Sequence, residues 1–125
     1  MADTEFYNSI NAAIGAHGKW KFRLRQEVAR GTAGALVQEA GDYHNCAFGT
    51  WLKGLTAFEK SQPEAVDVIK LHQQFHGCAS RVAAESGKGN SDKAVALIDG
   101  ELSDLSKSLT SAMTRWKLKT MANAA

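Results

Sequence analysis

Apolar residues recur at steps of three and four along most of the chain, the spacing that lines one face of an α-helix. Phe6, Ile10, Ala13, His17, Trp20, Leu24 and Val28 form the first such stripe. They predict a helix from about Thr4 to Arg30, ended by Gly31 and Gly34. From Gly31 to His44 the pattern fades, and a connector with one helical turn around Leu36 and Val37 is expected. A short helix then covers roughly Cys46 to Gly54. Ser61-Gln62-Pro63-Glu64 reads as a helix start: Ser61 caps, Glu64 reaches back to its amide, and Pro63 sits in the tolerant first turn. The helix that follows, about 62 to 86, carries Val66, Ile69, His72, His76, Ala79 and Ala83 on one stripe. Gly87-Lys88-Gly89-Asn90-Ser91 marks a turn, with Asn90 or Ser91 as the next cap. A last helix, about 92 to 121, buries Ala94, Ile98, Leu102, Leu105, Leu109, Ala112 and Trp116. The expected fold is all-α, an antiparallel bundle of three long helices plus a short one that carries Cys46.

Composition supports that reading and narrows the partners. A chain of 125 residues with 44% apolar content has the size of one domain, 1–125, with a core of its own. The formal net charge of +2 implies no pull toward nucleic acid or an anionic membrane. Lys19, Lys21, Arg23 and Arg25 cluster in sequence but spread around a helix, as a solvated face does. No apolar run reaches the ~18 residues needed to span a membrane. The start, Met1-Ala2-Asp3-Thr4-Glu5, is acidic and unlike a signal peptide, so a cytoplasmic location is the default expectation. Cys46 and Cys78 then count as thiols or metal ligands before they count as a disulfide.

Three of the four histidines, His17, His72 and His76, fall on stripes that face the core. A lone histidine there is ordinarily a core residue hydrogen-bonded to a neighbour. Three unpaired imidazoles would each cost on the order of 1–3 kcal/mol, and one shared partner removes the cost for all of them. His72 and His76 are four apart, one turn apart on the same side of a helix. The His-x-x-x-His spacing alone is a weak signal, but His17 adds a third donor from the facing helix. Cys46, at the start of the short helix, offers a soft fourth. Three imidazoles and a thiolate suit Zn²⁺, which is borderline soft and takes four ligands.

His17-Gly18-Lys19-Trp20, then Cys46-Ala47-Phe48-Gly49-Thr50-Trp51, then His72-Gln73-Gln74-Phe75-His76, in that order, resemble the chemoreceptor zinc-binding (CZB) domain family. The Cys-x-Phe-Gly-x-Trp element is the specific one, and the likeness spans about Ile10 to Trp116. The resemblance implies a zinc site of His17, Cys46, His72 and His76 and a bundle that pairs into homodimers. It implies too a signalling partner in cis or trans, a chemoreceptor signalling domain or a diguanylate cyclase, controlled through zinc availability or thiol oxidation. A seam for the second copy is expected on the last helix at Leu97, Met113 and Leu118. Gly49 is expected where the chain passes close to the bundle. Trp20 and Trp51 are expected as apolar covers or core, and Asp42 or Tyr43 as hydrogen-bond partners of a ligating imidazole or plain loop residues. His44 is expected exposed, and Cys78, turned ~200° from His76, as a packed or free thiol.

Competing chemistries fit less well. His72-Gln73-Gln74-Phe75-His76 resembles the HExxH of zinc proteases, but Gln73 stands where the base should be, and four protein ligands leave no open position. No Glu is followed three residues later by His, as a di-iron bundle requires. Haem would leave Cys46 without a role. The expectation is therefore a sensory or regulatory domain rather than an enzyme, with a purely structural zinc module as the alternative.

Overall fold

A computed structural model describes residues 4–124; Met1 to Asp3, part of the acidic start, lie outside the described residues. Helix α1 runs Thr4–Arg30, and a 3₁₀ turn over Ala33–Leu36 leads into α2, Val37–Gly41. Three elements follow: α3, Ala47–Lys53; α4, Ala57–Ser61; and α5, Pro63–Gly87. The last helical stretch divides into α6, Ser91–Leu97, a π-helical turn over Ile98–Leu102, and α7, Ser103–Ala124. Among the described residues there is no strand, and no helix is long and apolar enough to cross a membrane.

The architecture is an all-α bundle with α5 at its centre, packed against α1, α2, α4, α6 and α7. Burial follows the periodicity on α1, where Ile10, Ala13, His17, Leu24 and Val28 face inward. Phe75 and Val68 of α5, Leu24 and Ile10 of α1, and Leu102, Leu109 and Met113 of the last stretch are fully enclosed. Burying each such side chain contributes about 1.5–3 kcal/mol, which makes this core the main source of stability.

Four expectations need correction. The connector after Gly31 is mostly helical: Leu36 and Ala40 are buried against α5, so the 3₁₀ turn and α2 are held by packing, not by a periodic pattern of their own. There the backbones of Gly34 and Gly87 meet so closely that a Cβ on Gly34 would lie 2.9 Å from the Gly87 Cα. The capping box is not Ser61 with Glu64 but Thr56 with Glu59, at the start of α4: the Glu59 amide donates to the Thr56 hydroxyl and the Thr56 amide to the Glu59 carboxylate. Ser61 instead donates to the Phe58 carbonyl, and Gln62 precedes Pro63 at the start of α5. The buried face of α5 is wider than the expected stripe: His72, His76, Ala79 and Ala83 are enclosed as expected, Val66 is exposed, and Ala65, Val68, Phe75 and Cys78 are enclosed as well. Finally, Met113 belongs to the core rather than to an exposed seam, and Leu97 is half-buried; only Leu118 of that trio is open.

The two sides of α1 give a stability test. Leu24 is fully buried and Phe22 is 63% exposed. Leu24→Ala is expected to lower stability by about 2–5 kcal/mol and Phe22→Ala to stay within about 0.5 kcal/mol of the parent, both read by urea denaturation. Equal losses would contradict the assigned face.

Candidate metal centre

Three helices converge on one point. α5 brings His72 and His76 on successive turns, α1 brings His17, and Cys46 stands at the N-cap of α3. His17 is 4% exposed and His72 and His76 are 1% exposed each. One donor atom from each of the four residues lies within 4.8 Å of the other three. His17 Nε2 and His76 Nε2 are 3.3 Å apart, and Cys46 Sγ lies 3.2 Å from His72 Nε2. A tetrahedral ion with bonds of about 2.0–2.1 Å to nitrogen and 2.3 Å to sulfur separates its donors by roughly 3.3–3.6 Å. Both of these distances are near that spacing.

Hydrogen bonding decides what those nitrogens can do. The Ala13 carbonyl lies 2.7 Å from His17 Nδ1, and the Ala40 carbonyl 2.7 Å from His76 Nδ1. A carbonyl only accepts, so both Nδ1 atoms carry the proton. Burial holds the His17 ring down at about 4, partly offset by the Ala13 bond, with His76 adding to the depression. Burial likewise brings His72 down to about 3, helped by its histidine neighbours, and lowers His76. The rings are therefore neutral near pH 7, and a neutral ring protonated at Nδ1 has a bare lone pair at Nε2. His17 and His76 point two such lone pairs at each other across 3.3 Å. That arrangement is repulsive unless a cation lies between them, and a divalent ion resolves it.

Aromatic rings pack around the imidazoles, while His17 and Cys46 also line a cavity of about 700 Å³ between α1 and α3. Phe75 meets the His17 ring edge-on at 5.2 Å, and Phe48 meets His72 the same way at 5.2 Å. Trp51 stacks on Phe48 at 5.7 Å, outside it. Gly49 sits under the Tyr43 carbonyl, which a Cβ would overlap, so the approach of α3 to the preceding loop requires glycine. The Gly49 amide donates to Cys46 Sγ at 3.2 Å. Burial pushes the Cys46 thiol up, while the amides of Gly49 and Phe48 pull it down; a bound cation would hold it as thiolate.

The structure brings together all four residues singled out by pattern, and leaves His44 exposed and outside the cluster. Cys78 is a buried free thiol, pushed up to about 11 by burial. Trp20 is half-buried, with the Arg23 guanidinium over its ring at 4.9 Å. The Asp42 carboxylate accepts from Asn45 and does not reach an imidazole. The groups that fix the His17 and His76 rings are the Ala13 and Ala40 carbonyls. Ala13 could have been found, because it lies one turn before His17 on the same helix; Ala40 could not, because α2 has no sequence pattern of its own.

The lowered histidines fix the sign of a pH dependence. The folded state binds fewer protons than the unfolded state between about pH 4 and the ordinary value of 6.5, so stability falls as pH falls through that window. Metal-free protein is expected to melt at a near-constant temperature between about pH 7 and 8, below the range where the raised thiols begin to matter, and at progressively lower temperatures toward pH 4. Scanning calorimetry of chelated protein across that range checks it; a melting temperature that rises on acidification would contradict the neutral-imidazole arrangement.

The model of the chemoreceptor zinc-binding domain matches residues 17–83, more than half of the 125-residue chain, and the match takes in all four converging donors. No curated protein and no solved structure matches the chain. With the donor set, its spacing and the bare nitrogens already pointing to a tetrahedral, borderline-soft cation, this chain belongs to the chemoreceptor zinc-binding domain family and its ion is zinc.

Proposed function

We propose that His17, Cys46, His72 and His76 hold one Zn²⁺ and that this site makes the chain a sensory or regulatory module rather than an enzyme. Four protein donors close a tetrahedral shell, leaving no position for substrate or water to be activated. The reading rests on one observation: the Cys46 sulfur occupies two structural roles at once. It lies 3.2 Å from His72 Nε2 in the donor cluster, and it accepts the Gly49 amide as the N-cap of α3.

Helix α3 has seven residues, too few to persist alone in water. Its cap, its metal bond, and the burial of Phe48 and Leu52 hold it to the bundle. Bound zinc supplies a positive charge that keeps the sulfur a thiolate, the form that oxidants attack. Conversion to sulfenic acid weakens the donor and the cap together and leaves three neutral imidazoles for the ion. Loss of zinc to a competitor leaves α3 without the same bond. Either event biases one small element, as a switch requires. The partner in this reading is a chemoreceptor signalling domain or a diguanylate cyclase, in cis or in trans, with the domain itself acting as a homodimer in the cytoplasm. The depth of His72 and His76 favours a second reading, a purely structural zinc module.

Two measurements follow. Elemental analysis of protein purified without added metal should give close to one zinc per chain, and His72→Ala should abolish tight binding; iron, or no metal, would sink the site. Hydrogen exchange after a stoichiometric mild oxidant should show protection falling first across residues 42–58, with the response absent in Cys46→Ser. Unchanged exchange with Cys46 demonstrably oxidised, or reaction at Cys78 instead, would leave the structural module as the correct reading.

A further inference from the structure

A concave site separate from the donor cluster has Trp51 in its lining. A cavity of about 530 Å³ opens among α1, α3, α4 and α7, within the size range of small-molecule sites. Its walls are aromatic: Phe6, Trp51, Phe58 and Trp116. Three of these rings are in mutual contact but do not lie flat on one another. Phe6 meets Trp116 at 5.2 Å and 79°, and Trp51 at 5.8 Å and 51°; Trp51 and Trp116 meet at 5.8 Å and 49°. Such inclined faces form a corner rather than a stack. Phe58, on α4, is 75% exposed and supplies a fourth ring at the edge. The lining also contains two carboxylates, Glu5 and Glu59, and no lysine or arginine. The Glu59 Oε1 accepts the Thr56 amide in the capping box. None of the four metal donors lines this cavity.

Aromatic faces present negative charge to whatever lies over them, and a cation held by several of them is attracted by each. A primary ammonium carries three N–H donors that need acceptors, whereas a quaternary ammonium spreads its charge over methyl groups and asks only for π-faces and a nearby anion. We propose that this corner is a binding site for a small organic cation of the quaternary-ammonium class, with Trp51, Trp116 and Phe6 as the cage, Phe58 as its outer wall, and Glu5 and Glu59 as the anionic rim. The site does not depend on the metal reading. It does share Trp51, which stacks on Phe48, with the helix whose cap is Cys46, so an occupant bears on the same element from its outer side.

Choline chloride and its uncharged carbon isostere, 3,3-dimethyl-1-butanol, are the probes. The ¹⁵N-labelled chain as purified is titrated with each at matched ionic strength, and the three tryptophan indole N–H signals are followed by NMR. Choline should shift Trp51 and Trp116 in a saturable way, with Kd on the order of 1 mM for so small a ligand. Trp20, which is not in the lining, should stay in place. The isostere should bind more weakly by roughly 2- to 30-fold, the range of a cation–π attraction. Glu5→Gln and Phe58→Ala change exposed side chains and should keep the parent's melting temperature while weakening choline several-fold. The proposal is overturned by the absence of saturable shifts in Trp51 and Trp116, by equal affinity for the uncharged isostere, or by choline binding that survives both substitutions. A lysine-rich peptide that displaces choline from the two indoles at lower concentration would overturn it too, in favour of a docked protein segment.

Discussion

The structure turns on two nitrogen lone pairs that face each other. His17 and His76 each donate Nδ1–H to a backbone carbonyl, from Ala13 and Ala40, and so present bare Nε2 atoms 3.3 Å apart inside the bundle. Burial removes the other means of relief, protonation, by holding the rings neutral. A helix packing that forces this contact is at odds with itself until a cation joins the two atoms. His72 and Cys46 complete the set from the remaining directions. The central helix α5 carries two of the four donors, and α2 is folded onto it where its Ala40 carbonyl orients one of them.

The cluster is not equally rigid on all sides. The three histidines stand on the two helices, α1 and α5, that run 27 and 25 residues. Their backbones are fixed by turns on either side and by core residues such as Leu24 and Phe75. Cys46 stands at the tip of a seven-residue helix, beside a loop that Gly49 allows to pass close. The proposed switch therefore acts on α3, the shortest of the three elements that carry donors. Trp51 connects this helix outward, to Phe6 of α1 and to Trp116 of α7.

The helical fold and the meeting of the four donors were legible because both depend on strong, local signals. On α1 the buried positions follow the 3.6-residue period, and the His72–His76 spacing places both rings on one side whatever the tertiary context. What was missed depends on packing between elements. Helix α2 has too few residues to show a period and owes its helical form to burial of Leu36 and Ala40. The stripe of α5 was misplaced at Val66 because a central helix buries more than one face, and the apolar residues then no longer mark a single direction. The Thr56–Glu59 capping box was readable, since the pattern is the same Ser/Thr-x-x-Glu spacing sought at Ser61; of the two candidates, only Thr56 stands at an N-cap, where its amide donates the return bond to the Glu59 carboxylate, while Ser61 ends α4 and leaves Gln62 as the N-cap of α5. The π-turn at Ile98–Leu102 includes Gly100, and no apolar period distinguishes such a turn from ordinary helix.

The most direct test of the account is X-ray absorption at the zinc edge on protein purified without added metal. Shared coordination by the four residues predicts three nitrogen scatterers at about 2.0–2.1 Å and one sulfur at about 2.3 Å, with the sulfur lost in Cys46→Ser and one nitrogen lost in His17→Ala. A shell without sulfur, or one rich in oxygen and unchanged by either substitution, would contradict it.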